Sequence, residues 1–182
     1  YKDEQAVAAV FKNGEQEYGD IFIGADGGIS KVRNEIFGQT EFTKTEVKEV
    51  LGLLNCPALS KKLGTRFTKF QHESKSISFG MIPSSENEVV WFMQYDPRIM
   101  DIHETSPRAM EMFCQEMLKD FPEPVQELLS LEDFTGTYIW HTKDFDLLPS
   151  FHKKNIVLIG DSAHLALPFT SAGTTNALVD AH

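Results

Sequence analysis

Apolar runs of strand length, separated by polar turns, open the chain. Residues 6–11 and 18–23 are two such runs, and Asn13-Gly14 between them is the strongest short signal for a hairpin turn. Gly24–Gly28 ends the second run, and helical spacing of apolar positions follows over Ser30–Phe37. The pattern predicts two strands, a glycine-rich loop and a short helix.

The middle of the chain changes to the alternation that is typical of β-strands. Four runs are predicted as neighbouring strands of an antiparallel sheet: Val47–Leu54, Arg66–Gln71, Ser76–Ile82 and Val89–Tyr95. The polar turn Ser84–Asn87 connects the last two.

Helical periodicity returns over Ser106–Phe121, where one apolar stripe is followed by two prolines, and a second helix is predicted over Val125–Leu131. Tyr138–Trp140 and Phe145–Leu148 are weaker strand candidates. Asn155–Ile159 is an apolar run that ends at Gly160, which is typical of a strand buried on both faces. A last helix is predicted from residue 172 to the end of the chain.

This order predicts an α/β fold with an α+β tendency. Residues 1–42 and 151–182 are expected to form part of a dinucleotide-binding layer, because both contain a strand, a small-residue loop and a helix. Residues 43–150 are expected to form a mostly antiparallel sheet with covering helices. The chain lacks an initiator Met and stops inside a predicted helix, so we expect it to be a piece of a longer protein.

Composition and charge narrow the classes of function. Of 182 residues, 41% are hydrophobic and 24% charged, which is ordinary for a globular protein. The formal net charge of -10 disfavours nucleic acid as a partner. Cys56 and Cys114 stand far apart, so neither a disulfide framework nor a metal site is predicted. Without an apolar run long enough for a membrane span or a signal peptide, a cytoplasmic location is expected.

The first glycine loop, Gly24-Ala25-Asp26-Gly27, has two interpretations. Its small residues would allow backbone amides to approach a diphosphate. Alternatively it is only a tight turn in which Asp26 caps the helix that begins near Ser30.

The second loop reads Gly160-Asp161-Ser162-Ala163-His164, then Pro168, then a segment from Ser171 to Asn176, with Asp180-Ala181 at its end. The two loops together resemble the paired motifs of the class A flavoprotein monooxygenases, the para-hydroxybenzoate hydroxylase-like group. The order of the motifs and their separation also match that family.

The resemblance implies roles for the second loop. Asp161 would accept hydrogen bonds from the ribityl chain of FAD, and Gly160 would let the strand end come close to it. Pro168 would lie against the flavin edge, and backbone amides around Gly173 and Thr174 would point at the pyrimidine ring from a helix N-terminus.

For the first loop, the resemblance implies that Asp26 and Gly27 lie near the pyrophosphate and the approach path of the nicotinamide nucleotide, with Arg33 as a supporting residue. The implied enzyme reduces FAD with NADH or NADPH and reacts it with oxygen. A flavin hydroperoxide would then hydroxylate or epoxidise a small organic, often aromatic, substrate.

The sequence departs from the family pattern in the following respects. Ser171 stands where the family has Gly, and Thr175 stands where it has Asn, with Asn176 displaced by one position. A Gly-x-Gly-x-x-Gly unit, on which the family relies for the diphosphate end of FAD, is absent from the 182 residues. We therefore expect this chain alone to hold FAD poorly and to be inactive.

Aromatic and Met residues of the central strands have two interpretations. Residues of this kind are more often core than cofactor contacts. The alternation of Phe79 and Met81 with Trp91 and Met93 nevertheless nominates Met81, Trp91 and Met93 as a substrate-facing set.

Two other classes of function stay open. Gly160-Asp161-Ser162 could belong to a serine hydrolase with Ser162 as the nucleophile. The chain could also be a non-catalytic, flavoprotein-like binding domain. His164 is expected to be packed or capping, because the flavin chemistry needs no histidine ligand.

Overall fold

The computed structural model describes residues 1–44, 46–168 and 172–182. Its contacts divide the chain into two units, the first made of residues 1–44 and 143–182 and the second of residues 45–142. The first unit is therefore discontinuous in sequence.

The predicted hairpin begins the first unit. Strands β1 (Ala8–Val10) and β2 (Gln16–Tyr18) pair antiparallel around a turn in which Gly14 has a φ of 88°. The second predicted strand ends early, and a separate strand β3 covers Phe22–Gly24. At the break, the side-chain amide of Asn155 donates to the carbonyl of Asp20 at 2.9 Å.

A three-stranded sheet forms the centre of the first unit. Strand β10 (Ile156–Leu158) lies between β3, which is parallel to it, and β9 (His152–Lys153), which is antiparallel. Helices α1 (Lys31–Phe37), α5 (Asp161–His164) and α6 (Ala172–Asp180) complete this unit.

Gly24 allows α1 to pack closely on this sheet. A Cβ atom at Gly24 would stand 2.8 Å from Val32 Cγ1 and 2.9 Å from Leu158 Cδ2. The small core of the unit, which consists of Ile36, Ile156, Leu158 and Ala163, therefore depends on a glycine at the end of β3.

The second unit contains the predicted antiparallel sheet, which has five strands in the order β5-β6-β7-β4-β8, so the weaker candidate Tyr138–Trp140 joins the four predicted strands. Its strands are β4 (Lys48–Asn55), β5 (Thr68–His72), β6 (Ile77–Pro83), β7 (Glu88–Tyr95) and β8 (Tyr138–His141). Its helices are α2 (Pro57–Leu63), α3 (Pro107–Leu118) and α4 (Val125–Leu131). A single 3₁₀ turn, Glu73–Lys75, links β5 to β6.

Helices cover one face of this sheet and form the larger core. Trp91 lies at its centre, 5.8 Å from the Phe79 ring and 6.1 Å from the Phe134 ring, and its indole N–H donates to Glu132 at 2.7 Å. Residues of α3 such as Met110 and Cys114 are fully buried against this face. The two predicted helices are thus both present, with α3 starting at the cap residue Ser106 and ending three residues earlier than predicted.

Two elements differ from the prediction. Helix α2 was not predicted; it is a short helix with Pro57 in its first turn and Gly64 after its end. Phe145–Leu148 is not a strand, and the Phe145 ring instead lies 4.2 Å from the guanidinium of Arg33 in the first unit. Residues 143–150 accordingly belong to the first unit, whereas the predicted middle domain extended to residue 150.

Candidate functional site

The carboxyl ends of β3 and β10 bring the two glycine loops together. Parallel pairing places Leu158 opposite Gly24, and the amide of Ile159 continues the ladder by donating to the Gly24 carbonyl at 3.0 Å. Because the carboxyl ends of adjacent parallel strands are where open α/β sheets bind ligands, this edge is the natural place for a site.

Arg33 connects the two loops through hydrogen bonds to their backbone carbonyls. Its side chain is fully buried, and its guanidinium donates to the carbonyl of Gly28 at 2.6 Å in the first loop. In the second loop it donates to the carbonyls of Ser162 at 3.0 Å and Asp161 at 3.4 Å. Arg33 and Ser162 are 129 residues apart in sequence, so Arg33 fixes a geometry that no local turn could set.

The surroundings of Arg33 satisfy most of its remaining donors. Nε donates to Thr40 Oγ1 at 2.7 Å, and the guanidinium lies 4.2 Å from the centre of the Phe145 ring. Burial lowers the pKa of Arg33, although the negative charge of Asp26 opposes the shift. The side chain is nevertheless a cation at neutral pH, because an arginine loses its proton only far above that range.

Asp26 caps helix α1. Its carboxylate accepts hydrogen bonds from the Ser30 hydroxyl at 2.5 Å and from the amides of Lys31 at 2.7 Å and Val32 at 3.1 Å. Partial burial opposes ionisation, but these hydrogen bonds hold the pKa of Asp26 below its usual range. The capping interpretation therefore describes the observed contacts of Asp26.

Asp180 ties helix α6 to the second loop. One carboxylate oxygen accepts from the Gly160 amide at 2.7 Å and hydrogen-bonds His164 Nε2 at 2.6 Å. The Gly160 amide, opposed by partial burial and assisted by His164, holds the pKa of Asp180 below its usual range. The His164 ring also packs against Phe151, with ring centres 5.6 Å apart, so the expectation of a packed histidine agrees with its contacts.

A cleft of about 370 Å³ lies where the loops meet the start of α6. Small side chains dominate its lining, which consists of Ala25, Gly27, Ile159, Gly160, Asp161, Gly173, Thr174 and Ala177. A Cβ atom at Gly27 would meet no atom within 4 Å, so any larger residue there would project into this space. Five of the predicted cofactor residues thus line one cleft: Gly27, Gly160, Asp161, Gly173 and Thr174.

Asp161 is the charged side chain of the cleft. Its carboxylate accepts no hydrogen bond from any residue within the described ranges, and Oδ1 stands 3.8 Å from where a Cβ of Gly173 would be. Gly173 and Thr174 lie in the first turn of α6, where backbone amides have no partner inside the helix. The cleft therefore combines a hydrogen-bond acceptor with donors that carry partial positive charge.

Comparison with known proteins identifies the family of this chain. A family model described as FAD binding domain matches residues 1–182. The chain belongs to the FAD binding domain family. The predicted resemblance to class A flavin-dependent monooxygenases is thereby confirmed.

Curated relatives in this family are monooxygenases and epoxidases. FAD-dependent monooxygenase thnD of Trichoderma harzianum is 27% identical over 205 residues, a match that covers 98% of this chain and 49% of thnD. The chloroplastic zeaxanthin epoxidase of Arabidopsis thaliana is also 27% identical, over 96% of this chain and 25% of that protein. The chain spans about half or less of the length of these relatives.

Solved structures of the family share the fold. Klebsiella pneumoniae HpxO complexed with FAD and uric acid superposes with a TM-score of 0.81 at 21% identity, covering 98% of this chain and 46% of HpxO. Pseudomonas aeruginosa PqsL, a probable FAD-dependent monooxygenase, gives a TM-score of 0.76 at 16% identity, covering 96% of this chain and 47% of that one.

The residues of the cleft fit part of an FAD molecule. Its small side chains leave space for a flat ring system and an attached polyol, and Asp161 is an acceptor without a partner among the described residues. Of the remaining second-loop residues, Pro168 is half-buried and does not line the cleft, while Thr175 and Asn176 are exposed on α6. Ser171 lies outside the described residues.

Burial corrects the predicted substrate-facing set. Met81, Trp91 and Met93 are all 0% exposed and lie in the core beneath α3 and α4. The contacts of Met81, Trp91 and Met93 therefore agree with the core interpretation.

The contacts of Ser162 contradict the hydrolase alternative. Its hydroxyl is buried, donates to the Gly24 carbonyl at 2.5 Å and lies 2.7 Å from the Ile159 carbonyl. His164, the nearest candidate base in sequence, instead pairs with Asp180. Ser162 is a structural link between the loops.

The described residues contain neither a candidate metal site nor a helix that could span a membrane. No three or more His, Cys, Asp and Glu side chains of residues 1–44, 46–168 and 172–182 are grouped so that they could hold a metal ion. Within the same ranges, every helix is too short or too polar to cross a membrane.

Proposed function

We propose that the cleft binds the isoalloxazine and ribityl part of FAD in a whole protein that monooxygenates a small organic substrate. NADH or NADPH is the proposed reductant. Bound FAD, once reduced, supplies the activation of molecular oxygen and the transfer of one oxygen atom. The observation that carries the proposal is the carboxylate of Asp161, which accepts no hydrogen bond from a residue that the structure describes and lies beside the first turn of α6, at the carboxyl ends of two parallel strands.

Each lining residue has a distinct proposed task. Asp161 accepts hydrogen bonds from ribityl hydroxyls, since a short carboxylate on a fixed helix start suits such donors. The amides of Gly173 and Thr174 donate to the pyrimidine edge, where the helix N-terminus stabilises negative charge. Gly27 keeps the first loop close to the cofactor without a side chain in the way.

The supporting residues hold the loops rather than touch the cofactor. Arg33 fixes the distance between the loops, and Asp180 fixes α6 against Gly160. Asp26 acts on the first loop through the cap of α1. Binding sites commonly depend on such supporting residues, which hold the ligand-contacting residues in position through packing and hydrogen bonds.

Substitution of Asp161 in the full-length protein tests the proposal. Asp161→Ala should weaken FAD binding by about one to two powers of ten, because a charge-assisted hydrogen bond is lost. The dissociation constant is measured by titrating apoprotein with FAD and following quenching of flavin fluorescence. Asp20→Ala is the matched control, since Asp20 is an exposed aspartate of the same unit whose side chain is outside the cleft. Equal affinity in the Asp161→Ala and Asp20→Ala proteins would contradict the proposal.

A further inference from the structure

Helix α5 is a single turn of four residues, and its geometry depends on contacts outside itself. Isolated helices of this length are not stable in water, because fixing the first turn costs more than its hydrogen bonds return. Asp161, the proposed acceptor for the ribityl hydroxyls, is the first residue of this turn. The contacts that hold the turn therefore also set the direction of the Asp161 carboxylate.

One carboxylate oxygen of α6 holds both ends of that turn. Asp180 Oδ2 accepts from the amide of Gly160, which precedes α5, at 2.7 Å, and it lies 2.6 Å from Nε2 of His164, which ends α5. Asp180 is the last residue of α6, whereas Gly173 lies in the first turn of α6, where its Cβ would stand 3.8 Å from Asp161 Oδ1. The two hydrogen bonds to Asp180 thus hold the first-turn amides of α6 relative to the Asp161 carboxylate.

The Asp180 carboxylate decides which nitrogen of His164 must carry a proton. The Gly160 amide, opposed by partial burial and assisted by His164, keeps the pKa of Asp180 below its usual range, so at neutral pH the carboxylate is ionised and can only accept hydrogen bonds. Nε2 of His164 is therefore the donor.

The other ring nitrogen of His164 makes no such contact. Nδ1 is buried and has no hydrogen-bond partner among the residues that the structure describes. The ring packs edge-on against Phe151, with ring centres 5.6 Å apart. Among the described residues, His164 thus forms its side-chain hydrogen bond through Nε2 alone.

We infer that His164 is a positioning residue for FAD, which donates from Nε2 to Asp180 and so keeps the acceptor on α5 and the donors on α6 at a fixed spacing. This inference rests on the proposed function, because it takes the cleft as the FAD site. It adds a residue that does not line the cleft and that acts on the cofactor through Asp180.

Glutamine and asparagine at position 164 separate the two ring nitrogens. The amide nitrogen of Gln can occupy the place of Nε2, whereas the shorter Asn can replace only Nδ1. His164→Asn should therefore weaken FAD binding by at least about tenfold, because a hydrogen bond to a charged group is lost. His164→Gln should bind FAD within about threefold of the wild-type protein, since it keeps the donor to Asp180. Titration of the full-length apoprotein with FAD, followed by quenching of flavin fluorescence, gives these dissociation constants.

The reduction potential of bound FAD, measured at saturating FAD, separates positioning from stability. The amides of Gly173 and Thr174 are proposed to stabilise negative charge on the reduced flavin, so displacement of α6 should make the potential more negative in His164→Asn. The potential of His164→Gln should equal that of the wild-type protein. A contact that only stabilises the fold would lower the unfolding temperature of His164→Asn and leave the potential unchanged.

His152→Asn is the matched control, because His152 is an exposed histidine of β9 in the same unit and lies outside the cleft. It should keep the wild-type affinity and potential. Wild-type affinity or an unchanged potential in His164→Asn overturns the inference, and so does a His164→Gln protein that loses as much affinity as His164→Asn.

Folding of each variant is checked by circular dichroism. If His164→Asn does not fold, His164→Gln decides alone: wild-type affinity and potential support the inference, and a loss of affinity of about tenfold overturns it. A wild-type protein that binds no FAD contradicts the proposed function, and the role of His164 then falls with it. A wild-type protein that binds FAD while His164→Asn binds it equally well contradicts the role of His164 alone.

Discussion

Arg33 shows how a single side chain can define the site at the residue scale. Its planar guanidinium carries five N–H donors in fixed directions, so it can reach carbonyls of both loops and Thr40 at once. A lysine has the same charge but donates from one compact ammonium group. The geometry of the cleft thus depends on the shape of the cation and not on its charge alone.

Arg33→Lys should therefore destabilise the chain and loosen the cleft. We expect the free energy of unfolding to fall by about 3 kcal/mol, because buried carbonyls of Gly28 and Ser162 lose their donors. Urea unfolding followed by circular dichroism measures the change. Arg108→Lys is the control, since Arg108 is exposed and pairs only with Glu111, and it should change stability by less than about 0.5 kcal/mol. A loss of the same size in both variants would show that Arg33 has no special role.

At the element scale, the start of α5 depends on the backbone of Gly160. This residue has a φ of 59° and a ψ of -144°, a backbone conformation that residues other than glycine rarely adopt. A Cβ there would also stand 3.3 Å from the Cβ of Ala177 in α6. The turn that presents Asp161 is thus built around one glycine.

Gly160→Ala should lower the free energy of unfolding by about 1 to 3 kcal/mol and weaken FAD binding in the full-length protein. Gly136→Ala is the matched control, because its φ is not in the left-handed region and a Cβ there meets no atom within 4 Å. Thermal unfolding and FAD titration of the two variants give the comparison. If Gly160→Ala is as stable as Gly136→Ala, the strain assigned to this turn is absent.

The helices and strands were largely predictable from the sequence, but which face of the five-stranded sheet is buried was not. Strand periodicity located β4, β6 and β7 to within a residue or two, and the predicted helical ranges began at Ser30 and Ser106, which the structure shows to be N-cap residues. In β6 and β7, however, residues on both faces are apolar, as Trp91 and Phe92 illustrate. The position of α3 and α4 decides which face is core, and that depends on tertiary packing that alternation does not encode.

The candidate site was predictable only where the motif itself carries the chemistry. Asp161 and Gly173 could be expected to lie near each other because the two loops resemble a known pair of motifs, and both residues line one cleft in the structure. The sequence could not decide whether Asp26 caps helix α1 or contacts a ligand, because the same carboxylate suits both roles.

At the scale of the whole molecule, the larger core isolates one of the two cysteines. Cys114 is fully buried in α3, and burial, with the nearby charge of Glu132, raises the pKa of its thiol to about 12. Cys56 is half-buried at the start of α2. The reactive thiolate of Cys114 is therefore scarce at pH 8 unless the second unit opens.

Iodoacetamide at pH 8 should label Cys56 at least about 100-fold faster than Cys114 in the native chain. The two thiols should react at similar rates in concentrated urea, where burial no longer separates them. Peptide mass spectrometry after timed quenching gives both rates. Comparable rates in the native chain would mean that the second unit opens readily, contrary to its buried core.

The place where the chain leaves and re-enters the first unit has a consequence for how such proteins diversify. Thr43 donates through its amide to the Asp144 carbonyl at 3.0 Å, and β4 and β8, the first and last strands of the second unit, are neighbours. The chain therefore enters and leaves the second unit at neighbouring positions. A unit inserted in this way can change in sequence or length with little effect on the strands and paired loops of the first unit.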